Sequence, residues 1–112
     1  MSGFRVEDIP KFEAVKEQNS RLRGMYYNFV DTAEGEEIER AEAILGLLRD
    51  QSKSLRITEL EDVTRKGEFY SSLFSYKKEN SLDDRSFCSS CSDRVLEVLS
   101  EASKIPPVVR SR

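Results

Sequence analysis

Apolar residues recur along this chain at intervals of three and four, the rhythm of helices that bury one face. Between Ile9 and Val30, the positions Phe12, Val15, Asn19, Leu22, Tyr26 and Phe29 form a heptad-like seam with one polar member. Met25 and Val30 widen its second half. Asp8 is placed to cap this helix, Pro10 suits its first turn, and Glu13 adds favourable charge near its positive end. Asn19 has two readings. It lies at the wet edge of a globular contact, or it sets register and partner number in a coiled coil.

A second helix is predicted over Glu36–Asp50. Ile38, Ala41, Leu45 and Leu48 make its stripe, with Ile44 and Leu47 beside it, and Glu36, Glu37 and Glu39 favour its N-terminal end. Asp31 or Thr32 can cap before it, and Gly35 suits a tight link between antiparallel helices. "QSKS", residues 51–54, reads as a turn.

The next stretch admits two readings. Thr58 with Glu61 matches a capping box, and Leu60, Val63, Tyr70 and Phe74 then share one helical face with Gly67. On that face the glycine either weakens the helix or lets a neighbour come close. The rival is a β-hairpin turning at "RKGE", but its alternation breaks at Glu61-Asp62 and Ser71-Ser72, so a helix is preferred. "KKENS" is a link. A last helix ends before Ile105, because a residue preceding proline avoids helical angles.

The fold predicted is all-α: a three- or four-helix antiparallel bundle over residues 1–104, with an extended tail over 105–112. Helices of this size cannot bury a stripe alone, so each packs on the others or on a second chain. Heptad-like seams in the first and last helices raise the possibility of a dimer.

Where the last helix starts decides the chemistry of the only two cysteines, Cys88 and Cys91 in "SFCSSCSDRVLEVL". Ser81 with Asp84 and Ser90 with Asp93 are both capping boxes. From Ser81, the cysteines share a buried stripe with Val95, Val98 and Ala102, flanked by Phe87 and Leu99, and Leu96 alone is left out. From Ser90, Cys91 sits in a first turn, where the helix dipole favours a thiolate. Cys88 and Cys91 would then be a redox dithiol or half of a zinc site bridging two chains, since structural zinc takes about four ligands. The buried stripe is the preferred reading, so no cofactor is expected.

Composition narrows function mostly by exclusion. The chain has no histidine, which removes any Ser-His-Asp or Cys-His arrangement. It has no phosphate-binding glycine loop of either common pattern and no EF-hand spacing of acids. Carboxylates are plentiful at Glu36-Glu37, Glu59-Glu61-Asp62 and Asp83-Asp84, but they stand in polar runs that keep them solvated. A net charge of −3 without a basic patch argues against nucleic acid as a partner. No apolar run is long enough to span a membrane, and "MSGFRVEDIP" lacks the apolar core of a secretory signal, so cytoplasm or nucleus is expected.

The expectation is a non-enzymatic adaptor or assembly domain that binds a protein partner, itself or both. Aromatic residues anchor many interfaces, which makes Tyr26, Tyr27, Phe69 and Tyr76 candidate contacts alongside Asn19. The alternatives are a thiol-dependent protein using Cys88 and Cys91, and an acidic helical inhibitor that fills a basic cleft.

Overall fold

A computed structural model describes the backbone of residues 9–54 and 60–104, and the side chains of residues 10–52 and 63–101. The described residues form four helices and no strand: α1 Ile9–Thr32, α2 Glu36–Ser54, α3 Leu60–Glu79 and α4 Asp84–Lys104. No helix among them is long and apolar enough to cross a membrane. The predicted caps at Asp8 and Thr58 and the 105–112 tail lie outside the described residues.

The third segment is the helix α3, not the hairpin. Val63, Tyr70 and Leu73 supply its buried side. Helix α2 runs through "QSKS", correcting the predicted turn. Gln51 occupies the buried face one turn after Leu48, so tertiary burial carries the helix through a polar stretch.

Helix α4 starts at neither predicted box. Ser81 is the αL residue that ends α3, with φ 53°. The Leu82 N–H donates to the Lys77 carbonyl at 3.0 Å and the Ser81 N–H to the Lys78 carbonyl at 3.1 Å, which is a Schellman closure. The true cap is Asp83, whose carboxylate accepts the Ser86 N–H at 2.7 Å. That bond holds its pKa below the ordinary carboxylate value. At the other link, Gly35 carries φ 62° and its carbonyl accepts the Ile38 N–H that opens α2.

Helix α1 is the centre of the molecule. It packs against α2, α3 and α4, and α2 also packs against α4; α3 rests almost wholly on α1 among the described residues. Successive helices reverse direction, as an antiparallel bundle requires. Two of the packed pairs nevertheless run parallel. Val15 faces Gly67, Gln18 bonds Ser71 and Arg21 stacks on Phe74, so α1 and α3 ascend together. Ser89 bonds Glu37 and Asp93 pairs with Arg40, so α2 and α4 do likewise.

The whole α1 seam is inside: Phe12, Val15, Asn19, Leu22, Tyr26 and Phe29, together with Met25. The ring of Tyr26 meets that of Phe29 edge-on, with centroids 6.2 Å apart. Gly67 admits α1 closely, since a Cβ there would stand 3.3 Å from Val15 Cγ2. In α4 the buried face runs Phe87, Cys88, Cys91, Ser92, Val95 and Leu99. Val98 is only half-buried, and Leu96 packs against the core after all. A straight helix of 3.6 residues per turn drifts off a 3.5-residue seam, which moves burial from Val98 to Leu99.

Candidate functional site

Three places gather chemistry-bearing side chains: the thiol pair, a polar centre in the core, and a groove along α1 and α3. Because α4 begins at Asp84, Cys88 and Cys91 lie within the helix, one turn apart, and both are buried and free. Burial pushes the Cys88 thiol up to about 12, helped by the charges of Asp84 and Cys91 and opposed by Lys77. A thiol held neutral is a poor nucleophile and a poor metal ligand. Among the described residues no group of three or more His, Cys, Asp and Glu side chains is placed to hold a metal ion. A zinc ion bridging two chains would have to draw both sulfurs out of the core.

Tyr26 stands against the same pair. Burial raises its pKa first, and Cys88 adds to the effect. Ser92 is near enough to oppose that rise, yet no aligned hydrogen bond joins it to the Tyr26 hydroxyl. The Ser92 hydroxyl donates instead to the Cys88 carbonyl, the usual local bond of a helical serine.

The polar centre is built on Asn19, which is completely buried. Its Nδ2 donates to the Leu48 carbonyl at 3.1 Å and to the Tyr70 hydroxyl at 2.8 Å, tying α1 to α2 and α3 at one level. Its Oδ1 has no partner. Burial raises the Tyr70 pKa, while the Asn19 bond and nearby Arg23 oppose the rise. Asn19 is therefore not at the wet edge: in the folded chain it faces α2 and α3.

The five candidate contact residues separate cleanly. Asn19 and Tyr26 are inside, so neither is a surface contact of this folded chain. Phe69 is half-buried, tilted against the Tyr70 ring at 5.4 Å. Tyr27 and Tyr76 stand out, with 53% and 44% of their surface exposed.

The groove went unread in the sequence. It is open and shallow, about 540 Å³, and runs between α1 and α3 toward the α3–α4 link. The Arg21 guanidinium lies 4.2 Å over the Phe74 ring, close enough for a cation–π contact. Gln18 Nε2 donates to Ser71 Oγ at 3.3 Å. Lys77 and Lys78 line the far end, where Lys77 Nζ pairs with Asp84 at 3.1 Å. In sequence, Arg21 sits on the polar side of α1, and nothing local joins it to Phe74.

Two further arginines have structural partners. Arg40 pairs with Asp93 at 2.8 Å and, more loosely, with Glu36. Arg85 donates to the Thr32 carbonyl at 3.1 Å and lies 5.3 Å from the centre of the Phe29 ring, so α4 provides the positive charge that the last turn of α1 lacks. Glu59, Glu61 and Asp62 have no described side chains.

Comparison with models of known protein families, with curated proteins and with solved structures found no match.

Proposed function

We propose that this chain is a non-enzymatic binding domain that docks a different protein on its α1–α3 side. The observation that carries the reading is where the apolar rhythm goes. The α1 seam, the one best suited to pairing with a second copy, is buried by the chain's own helices. That leaves little apolar driving force for a dimer through the heptad-like seams, and it favours a hetero-complex. What stays outside suits recognition: Tyr76, Tyr27 and the Arg21–Phe74 stack. The shifted titratable groups support a non-catalytic reading, because each has a structural cause. Cys88, Tyr26 and Tyr70 are shifted by burial, and Asp83 by capping. Sulfurs enclosed in the core lend no support to a zinc-bridged dimer or a redox dithiol.

The test couples oligomer mass with capture from the native source. The folded chain is expected to sediment as a single copy across the micromolar range. It should also retain a specific protein, and Tyr76→Ala combined with Phe74→Ala should release that protein while leaving helical circular dichroism intact. A stable dimer that retains nothing would refute the proposal.

A further inference from the structure

We propose that the α1–α3 groove recognises an acidic peptide segment, its negative groups being carboxylates. The inference rests on the protein-binding reading above and deepens it.

Charge is segregated here against the trend of the chain. The molecule carries a net charge of −3, yet the lining residues Gln18, Arg21, Ser71, Phe74, Ser75, Lys77, Lys78, Ser81 and Leu82 include three cations and no carboxylate. Asp84 pairs with Lys77 from outside that lining. Arg21 and Lys78 form no ion pair among the described residues, so two cations are open to a ligand.

Arg21 is also held in place. Its guanidinium lies over the Phe74 ring, which limits the side-chain freedom a ligand would otherwise have to remove, and the residue is exposed to an incoming acid. The hydroxyls of Ser75 and Ser81 add neutral donors along the wall, and Leu82 gives an apolar floor at the link end. Three cations from two helices, with serine hydroxyls and an aromatic ring beside them, suit an acidic segment better than an apolar one. Lys77 and Lys78 also fall in the last turn of α3, where the helix dipole favours them. That accounts for their place in α3 but not for Arg21, which α1 brings to the same groove.

The test uses the full chain, isotopically labelled for amide NMR, and three fluorescent peptides of equal length and matched apolar content. The first is glutamate-rich, the second has glutamine in place of glutamate, and the third is the glutamine peptide bearing one phosphoserine. The glutamate peptide should bind, with amide shifts confined to the stretches around Arg21 and from Ser71 to Leu82. The glutamine peptide should bind at least about tenfold more weakly, and the gap should narrow at high salt. Binding of the phosphoserine peptide without binding of the glutamate peptide would overturn the choice of carboxylates. Arg21→Glu with Lys78→Glu should remove the preference, and Arg21→Lys should keep part of it. Equal binding of all three peptides, shifts spread over α2 and α4, or a preference that survives the double charge reversal would overturn the groove assignment. Capture of a protein partner that is insensitive to the same reversal would leave the binding-domain reading standing while the groove assignment fell.

Discussion

Asn19 offers the sharpest test of how this core is held. It is fully buried, and its one amide nitrogen bonds both the Leu48 carbonyl and the Tyr70 hydroxyl. Leucine branches at the same carbon and comes close in shape. In Asn19→Leu the Leu48 carbonyl keeps its place in the ladder of α2, so the stranded group is the Tyr70 hydroxyl. Leaving a buried polar group unpaired costs about 1–3 kcal/mol. The extra apolar surface offsets roughly 1 kcal/mol of that, and the partnerless Asn19 Oδ1 is removed as well, for a net loss of at most about 2 kcal/mol. Tyr70→Phe strands an Asn19 N–H donor instead and should cost a similar amount. The double variant removes both ends of the bond. It should be no less stable than either single variant, with a coupling of about 1–2 kcal/mol. Urea unfolding followed by helical circular dichroism reads this directly, since Tyr70→Phe should lower the midpoint by about 0.5–1 M and Asn19→Leu by no more than that. Strictly additive losses in the double variant would refute the claim that this hydrogen bond joins α1 to α3.

Ser81→Gly should stabilise the fold by about 0.5–1 kcal/mol, because serine in the αL region costs about 1–2 kcal/mol and the freer unfolded glycine returns part of it; thermal melts should rise by a few degrees, and an unchanged melt would contradict the closure drawn at the end of α3. Cys88 has a folded pKa of about 12, above its ordinary 9.0, so the stability it contributes is complete below pH 9 and declines as pH climbs toward 12. Tyr26 and Tyr70, also raised, act in the same direction above their ordinary value of 10.0. Denaturant titrations across this range should show the decline, Cys88→Ala should flatten its lower part, and a thiol reagent should reach neither cysteine before unfolding at neutral pH. At Gly67 a methyl group would meet Val15 at 3.3 Å while gaining about 1 kcal/mol of helix propensity, so Gly67→Ala should lie near neutral. Gly67→Leu has no such room and should destabilise by at least about 2 kcal/mol; a leucine variant as stable as the parent would mean that α1 and α3 are not in close contact.

Much of this fold was legible because its information is local. The α1 seam, the α2 stripe and the helical reading of residues 60–79 follow from spacing alone; the structure buries the α1 seam and most of the α2 stripe, leaves Ile38 and Phe74 half-buried, and puts Leu73 inside in α3. The errors fall where the deciding partner is distant or where one signal has two meanings. The end of α2 was missed because "QSKS" is polar, and only packing reveals that Gln51 occupies a buried position. Two serine boxes competed for the start of α4, yet Ser81 serves the end of α3 and Asp83 performs the capping. Asn19 was visible as an interruption in an apolar seam, but its role depends on Tyr70, 51 residues away. The groove was hidden for the same reason, since no periodicity in α1 signals that Arg21 will meet Phe74.

The parallel pairing of α1 with α3 explains why the polar centre and the groove occur together. In a regular up-and-down bundle each helix is flanked by antiparallel neighbours, and the inner faces close on one another. Here α3 rests on α1 with little support from α2 or α4. Its core side therefore cannot be wholly apolar without leaving a greasy flank. Tyr70 meets that constraint by burying its ring and bonding its hydroxyl to Asn19, so a directional bond fixes the level at which α3 sits. On the other side of the same contact, no further helix among the described residues packs over Arg21, Ser75 and Lys78. The hydrogen bond that locates α3 thus also sets the spacing of the cations on its outer flank, and weakening it should loosen the groove before it unfolds the remaining helices.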